Sequence, residues 1–115
     1  MNATVYKLCD SAAWATAVDC GLFVGSTDDL RDGFIHLSTG PQVAETARRY
    51  FSNTTDLRLV AFDAASLGNE LRWEPSRDGA LFPHLYAALP TPKAMWIKAI
   101  ALSADGSPII PEGIE

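Results

Sequence analysis

Apolar residues follow two different periods along this chain, and the two periods predict a mixture of strands and helices. Short stretches that are apolar on one or both faces are typical of β-strands. These stretches are Thr4–Leu8, Phe34–Leu37, Leu57–Phe62, Leu71–Glu74 and Met95–Leu102. Because helical segments do not alternate regularly with the strands, the pattern predicts an α+β fold rather than a doubly wound parallel sheet.

Two helices are predicted in the first half of the chain. The first begins at Asp10 or Ser11, either of which can cap it, and ends at Cys20. The second begins at Thr39, because Gln42 follows three residues later in a capping-box pattern. Its apolar residues recur at helical spacing in Val43, Ala47, Tyr50 and Phe51.

The remaining segments lack either period and are expected to be loops. Leu22–Asp32 combines glycine, serine, threonine and acidic residues, and Pro75–Leu81 is a polar stretch. From Ala104 onward, prolines predict a tail that lies over the surface of a single domain spanning residues 1–115. The three tryptophans lie on periodic segments and are expected to anchor the core: Trp14, Trp73 and Trp96.

Composition and charge narrow the classes of function. The net charge of −5, without a cluster of Lys and Arg, disfavours general nucleic-acid binding. No apolar run is long enough for a membrane helix, and the first residues do not resemble a signal peptide. Cys9 and Cys20 flank the first predicted helix, too far apart for a disulfide, which fits a reducing cytoplasm. Two Cys and two His, widely separated in the sequence, predict no metal site.

The segment Gly33–Thr39 is the first candidate for chemistry. Strand alternation places His36 and Ser38 together on the face opposite the core residues. Because a helix begins directly afterwards, its free N–H groups and its dipole favour an anion at this junction. His36, Ser38 and Thr39 can therefore hold a phosphate or a carbonyl. The alternative is that Ser38 or Thr39 only caps the helix and that His36 is structural.

The segment Trp73–Tyr86 is the second candidate. Its ionisable side chains are Glu74, Arg77, Asp78, His84 and Tyr86. Glu74 can act as a general base or orient a histidine, and Arg77 can pair with a phosphate. If Leu85 is buried, strand alternation places His84 and Tyr86 on one face. The alternative is a packed loop in which the charges of Arg77 and Asp78 are solvated and Tyr86 belongs to the core.

Several motifs along the chain resemble a known bacterial family. They are Val5-Tyr6-Lys7, Trp14, Gly33-Phe-Ile-His-Leu-Ser-Thr39, Gln42, Tyr50-Phe51, Leu71-Arg-Trp-Glu74 and Phe82-Pro-His-Leu-Tyr86. In this order, and over nearly the whole chain, they resemble the domain of unknown function 952. That family in turn is similar to the ADP-ribosyltransferase fold, and particularly to the RNA 2′-phosphotransferases that use NAD.

The resemblance implies an ADP-ribosyltransferase-like mixed sheet with two N-terminal helices, and NAD or a phosphorylated nucleotide as the ligand. It places His36, with Ser38 and Thr39, beside the NAD ribose or a phosphate. Lys7 stands where those enzymes carry the second residue of a Tyr-His or Arg-His pair. Their cluster of arginines and their Glu-x-Glu or Gln-x-Glu turn have no counterpart in this sequence.

Two hypotheses about function follow. The first is an enzyme that transfers an ADP-ribosyl or phosphoryl group, in which Lys7 and Arg77 face the diphosphate and Tyr86 stacks on the nicotinamide. Its catalytic residues are His36, Glu74 and His84, and its ligand-binding residues are Lys7, Ser38, Thr39, Arg77 and Tyr86. The second is a noncatalytic module that binds a small anion or a partner protein. Both site hypotheses require His36 and His84 to meet beside an open cavity near the start of the second predicted helix.

Overall fold

A computed structural model describes residues 3–114 of the chain and all of their side chains except that of Arg77. This part of the chain forms strands and three α-helices, which confirms the predicted α+β class. In chain order the elements are β1 (Thr4–Asp10), α1 (Ser11–Cys20), β2 (Leu22–Phe23), α2 (Thr27–Asp32), β3 (Ile35–His36), β4 (Ser38–Thr39), α3 (Gly40–Tyr50), β5 (Leu57–Asp63), β6 (Leu71–Pro75), β7 (Leu81–Leu85), β8 (Leu89–Pro90) and β9 (Ala94–Ile100). Short 3₁₀ helices lie at Ala64–Glu70, Arg77–Gly79 and Thr91–Lys93.

The largest sheet has the strand order β4-β1-β5-β9 and is covered on both faces. Alternate residues of β1 and β5 therefore belong to two different hydrophobic clusters. One cluster contains Val5 and Phe62 and is completed by Trp14 of α1. The other contains Leu59 and is completed by Val43 of α3. The strand predicted at Leu57–Phe62 is thus confirmed, and it is apolar on both faces.

Two smaller antiparallel sheets pack against the first cluster, with the orders β2-β8 and β3-β7-β6. The predicted strand Phe34–Leu37 is divided at Leu37, whose N–H donates to the carbonyl of Pro83 at 3.0 Å. Before this point β3 pairs with β7, and after it β4 pairs with β1. His36 and Ser38 therefore belong to different sheets that meet at Leu37.

The ends of α1 and α3 confirm the boundaries predicted for two helices. The Asp10 carboxylate accepts from the N–H of Ala13 at 2.7 Å, and Gly21 ends α1 with φ of 81°. At the start of α3, the Gln42 side chain accepts from the N–H of Thr39 at 3.0 Å. The capping box that the sequence predicts is present.

The prediction of a loop at Leu22–Asp32 is wrong, because this segment forms β2 and α2. Ser26 caps α2 by accepting from the N–H of Asp29, and the Asp29 carboxylate accepts from the N–H of Ser26. Gly33 then ends the helix with φ of 84°. Of the acidic residues in this segment, Asp28 and Asp29 lie in the first turn of the capped helix, and Asp32 is its last residue.

The segment around Pro75–Leu81 is the turn of a hairpin between β6 and β7 rather than a long loop. Trp73 lies on β6, the edge strand of its sheet, and is 42% exposed. The prediction that Trp73 anchors the core is therefore wrong. Trp14 is buried as predicted, and Trp96 packs on Tyr6 with ring centroids 5.8 Å apart.

The final segment of the chain folds back over the large sheet. Leu102 forms an isolated antiparallel bridge with Pro108. Ile110 and Ile114 pack against the cluster that α3 covers. None of the helices within residues 3–114 is both long and apolar enough to cross a membrane.

Candidate functional site

A cavity of about 250 Å³ lies where the large sheet, α2, α3 and the β6–β7 hairpin meet. Its apolar lining includes Leu8, Phe51 and Phe82. Its polar lining includes Lys7, Asp29, Arg31, Asp32, His36, Ser38 and His84. Two histidines, three ionisable partners from α2 and a lysine are therefore concentrated around one space.

Asp29 of α2 is the centre of the hydrogen-bond network beside this cavity. One carboxylate oxygen, Oδ2, accepts from the Lys7 ammonium and from the Ser26 backbone N–H, both at 2.8 Å. The other oxygen, Oδ1, lies 2.7 Å from His36 Nδ1 and accepts from the His36 backbone N–H at 3.0 Å. The side chain of Asp29 is buried. One carboxylate thus joins α2 to β1 and to β3.

Burial alone would raise the pKa of Asp29, because desolvation disfavours a charged carboxylate. The hydrogen bonds from His36 and the charge of Lys7 outweigh that effect and hold the pKa of Asp29 well below its usual range. Asp29 therefore remains ionised, and it neutralises the buried Lys7 ammonium at all ordinary pH values.

His36 meets a carboxylate at each of its ring nitrogens. Nδ1 faces Asp29, and Nε2 lies 2.9 Å from Asp32 Oδ2. A neutral imidazole carries one N–H and can donate to only one of these carboxylates, whereas an imidazolium can donate to both. Asp32 also accepts from Arg31 through both of its oxygens. Hydrogen bonding from Arg31 lowers the pKa of Asp32, and His36 adds to the effect.

His84 of β7 lies directly opposite His36 of β3 in the strand register, with ring centroids 5.7 Å apart. Its Nδ1 is 2.9 Å from Glu74 Oε1, and the Tyr86 hydroxyl donates to the same oxygen at 2.7 Å. The hydrogen bond from Tyr86, followed by that from His84, lowers the pKa of Glu74. Glu74 consequently orients His84 as an ionised acceptor.

Phe34 contacts the rings of both histidines. Its ring stacks on His84 with centroids 4.1 Å apart, and it lies 4.6 Å from the His36 ring. The Tyr86 ring also packs on the Phe34 ring, with centroids 5.2 Å apart. Phe34 therefore restricts the orientation of both imidazoles through aromatic contact.

A family model described as "Protein of unknown function (DUF952)" matches residues 8–97. The chain belongs to this family. The DUF952 match spans β1 to β9 and therefore includes both histidines and both of their orienting carboxylates.

Solved structures of a similar protein share this fold. The crystal structure of protein CC0527 from Caulobacter crescentus is 45% identical, covers 92% of this chain and 93% of its own, and superposes with a TM-score of 0.90. The solution NMR structure of CC0527 is 46% identical, with coverages of 91% and 90% and a TM-score of 0.82. The comparison with curated proteins finds no match.

Four of the residues predicted for the site line the cavity of this DUF952 protein: Lys7, Ser38, His36 and His84. His36 and His84 both line this cavity, but the residues of α3 that line it, Thr46 and Tyr50, lie in the second half of the helix rather than at its start. Lys7, however, is bound to Asp29 and also donates to the His36 carbonyl at 3.1 Å, so its charge is already paired. The Ser38 hydroxyl donates to Thr46 Oγ1 at 3.3 Å.

Three predicted residues lie elsewhere. Glu74 does not line the cavity; it contacts Nδ1 of His84 and orients that ring. Tyr86 lines a separate surface pocket together with Phe34. Thr39 is the N-cap residue of α3, and its backbone N–H donates to the Gln42 side chain. The Arg77 side chain lies outside the described part of the structure.

Sequence reasoning missed the contribution of α2, which supplies Asp29, Arg31 and Asp32. Two features of the sequence point to Asp29. Lys7 alternates with Val5 and Cys9 on the core face of β1, and a lysine at a buried position requires a carboxylate partner. Ser26 and Asp29 also have the spacing of a capping box.

Metal-ligating side chains do not assemble in this site. Within residues 3–114, no group of three or more His, Cys, Asp or Glu side chains could hold a metal ion. Cys9 is buried in the core, and burial raises the pKa of its thiol to about 11.

Proposed function

We propose that this DUF952 protein is an enzyme that acts on a phosphorylated nucleotide, with His36 and His84 exchanging protons with the ligand. The observation that supports this proposal most directly is the pairing of the two histidines across β3 and β7 beside one cavity. Each ring is oriented at Nδ1 by its own carboxylate. Such histidine–carboxylate pairs are typical of general acid and base groups.

The two rings are close enough to serve one ligand from two sides. Because Glu74 holds Nδ1 of His84, Nε2 is the nitrogen left to accept or donate a proton. In His36 the corresponding nitrogen, Nε2, faces Asp32 on the exposed side of the cavity. General acid–base catalysis by positioned groups of this kind contributes about 10²–10⁴-fold to a rate.

The size of the cavity bears on the ligand. At about 250 Å³ it is smaller than most sites that enclose a drug-sized ligand, which occupy roughly 300–1,000 Å³. A ligand as large as NAD would therefore extend beyond this space. The proposed similarity to ADP-ribosyltransferases and RNA 2′-phosphotransferases favours the same ligand class. The nicotinamide role expected for Tyr86 does not fit, because Tyr86 lies outside the cavity.

Calorimetry tests this proposal. NAD, ADP-ribose and a 2′-phosphorylated RNA are titrated into the wild-type protein, His36→Ala and Asp19→Asn, which alters an exposed carboxylate on α1. We expect at least one ligand to bind the wild type and Asp19→Asn equally, and to bind His36→Ala at least about tenfold more weakly. If none of the three ligands binds the wild-type protein, the proposal is wrong.

A noncatalytic binding module is the second candidate. The observation in its favour is that both nitrogens of His36 already have carboxylate partners, which suits a ring with a structural role. Mass spectrometry of a bound ligand after prolonged incubation separates the two candidates. Release of an altered ligand by the wild type, but not by His84→Gln, supports the enzyme; an unchanged ligand supports the module.

A further inference from the structure

We propose that the Asp32 carboxylate occupies the position where an anionic group of the ligand binds, between the Arg31 guanidinium and Nε2 of His36. This inference rests on the proposed function and names the part of the ligand that the site recognises: a phosphate or carboxylate group. All three side chains line the cavity described above.

The two carboxylates that contact His36 differ: Asp29 is a permanent partner of the ring, and Asp32 is a replaceable one. Asp29 at Nδ1 is buried and makes four hydrogen bonds, so it cannot leave without exposing Lys7 as an unpaired charge. Asp32 at Nε2 is 33% exposed and makes contacts only to Arg31 and His36 among the described residues. Nε2 is therefore the nitrogen that can change partners.

Arg31 has the geometry of an anion-binding group. Its Nε and one terminal nitrogen donate to the two oxygens of Asp32 at 2.9 and 3.2 Å, as a fork. This planar fork also matches two oxygens of a phosphate. A phosphate bound in place of Asp32 would keep both of these hydrogen bonds and would present an oxygen to His36 Nε2.

The exchange is energetically accessible. Arg31 and Asp32 are exposed, and exposed ion pairs contribute little to stability. Asp32 is also the last residue of α2, where the carbonyl end of a helix disfavours a negative charge. Neither helix formation nor core packing accounts for a carboxylate at this position, whereas contact with Arg31 and His36 does.

The test compares two aspartates of α2 that both pair with Arg31, of which Asp32 also contacts His36. Asp32→Ala and Asp28→Ala each remove one exposed negative charge beside Arg31, but among the described residues Asp28 pairs with Arg31, at 3.2 Å, and not with His36. Inorganic phosphate is titrated into the wild type and both variants, and binding is followed by NMR of the histidine ring nitrogens. We expect phosphate to bind Asp32→Ala about tenfold more tightly than the wild type, and Asp28→Ala within about threefold.

The NMR spectra show where phosphate binds. In Asp32→Ala, phosphate should shift the resonance of His36 Nε2 and leave that of Nδ1, which Asp29 holds, nearly unchanged. In the double variant Asp32→Ala with Arg31→Gln, the increase in phosphate affinity should be lost. Equal gains in Asp32→Ala and Asp28→Ala would overturn the inference, since they would reflect net charge alone. No gain in Asp32→Ala would overturn it as well. This comparison is independent of whether NAD, ADP-ribose or RNA binds, so it can fail or succeed separately from the proposed function.

Discussion

The two histidine–carboxylate pairs of the site are built in opposite ways. In the pair on α2 and β3, the His36 side chain is 36% exposed and its Asp29 partner is 2% exposed. In the pair on the β6–β7 hairpin, the His84 side chain is 6% exposed and its Glu74 partner is 35% exposed. In the first pair the imidazole is accessible and the carboxylate is buried. In the second pair the imidazole is buried and the carboxylate is accessible.

This inversion indicates what holds each ring. His36 depends on a carboxylate that also neutralises Lys7 and joins three elements, so its orientation is coupled to the stability of the fold. His84 is held by its burial, by Phe34 and by its strand, and Glu74 adds a contact from the surface. Mutating the two carboxylates should consequently have very different results.

The largest expected effect is on the buried carboxylate. Asp29→Asn should lower the free energy of unfolding by about 3–5 kcal/mol, because it leaves the buried Lys7 ammonium unpaired. Glu74→Gln, the matched change in the exposed pair, should alter it only slightly. Urea unfolding of both variants measures the difference. Similar losses in the two variants would contradict the comparison.

Lowering the pH should diminish the contribution of Asp29. A carboxyl group whose pKa is lower in the folded chain than in the unfolded chain binds fewer protons when folded, so stability rises with pH. Its stabilising effect is complete above the unfolded pKa of about 3.9 and is lost as the pH falls below that value. The difference in unfolding free energy between wild type and Asp29→Asn should therefore shrink in acid. A difference that stays constant would show that Asp29 does not titrate with a lowered pKa.

Phe34 should affect both histidines with a smaller cost in stability. Phe34→Leu removes the ring that stacks on His84 and touches His36, and should cost about 0.5–1.5 kcal/mol beyond the change in buried area. Phe51→Leu is the control, since Phe51 is also half-buried but packs on the α3 side. Unfolding gives the stability, and NMR gives the ring mobility. We expect increased motion of both imidazoles in Phe34→Leu only.

The smallest expected effect concerns Tyr86. Its hydrogen bond to Glu74 raises the pKa of the Tyr86 phenol. Glu74→Gln should lower that pKa towards its usual value of about 10 while leaving the fold intact. Glu70→Gln is the control, because Glu70 contacts Tyr86 only through its main-chain carbonyl. An NMR titration of the Tyr86 ring decides, and an unchanged midpoint in Glu74→Gln would show that the contact does not persist in solution.

Much of the fold follows from local patterns in the sequence. The strand at Leu57–Phe62, the Asp10 cap of α1 and the capping box of α3 could be predicted, because each depends on neighbours a few residues apart. The two histidine segments could also be nominated from their polar residues. The division of the strand at Leu37 could not, since it depends on which of two sheets pairs with each half.

The sequence by itself determined α1, α3, the strand at Leu57–Phe62 and the two histidine segments of this DUF952 protein, because periodicity and capping are short-range properties. Only the tertiary structure decided which carboxylate serves which histidine. Asp29 reaches Lys7 across 22 residues, and Glu74 meets His84 through the β6–β7 hairpin. Such partners are selected by the electrostatic need to neutralise a buried charge and by strand register, neither of which has a period along the chain.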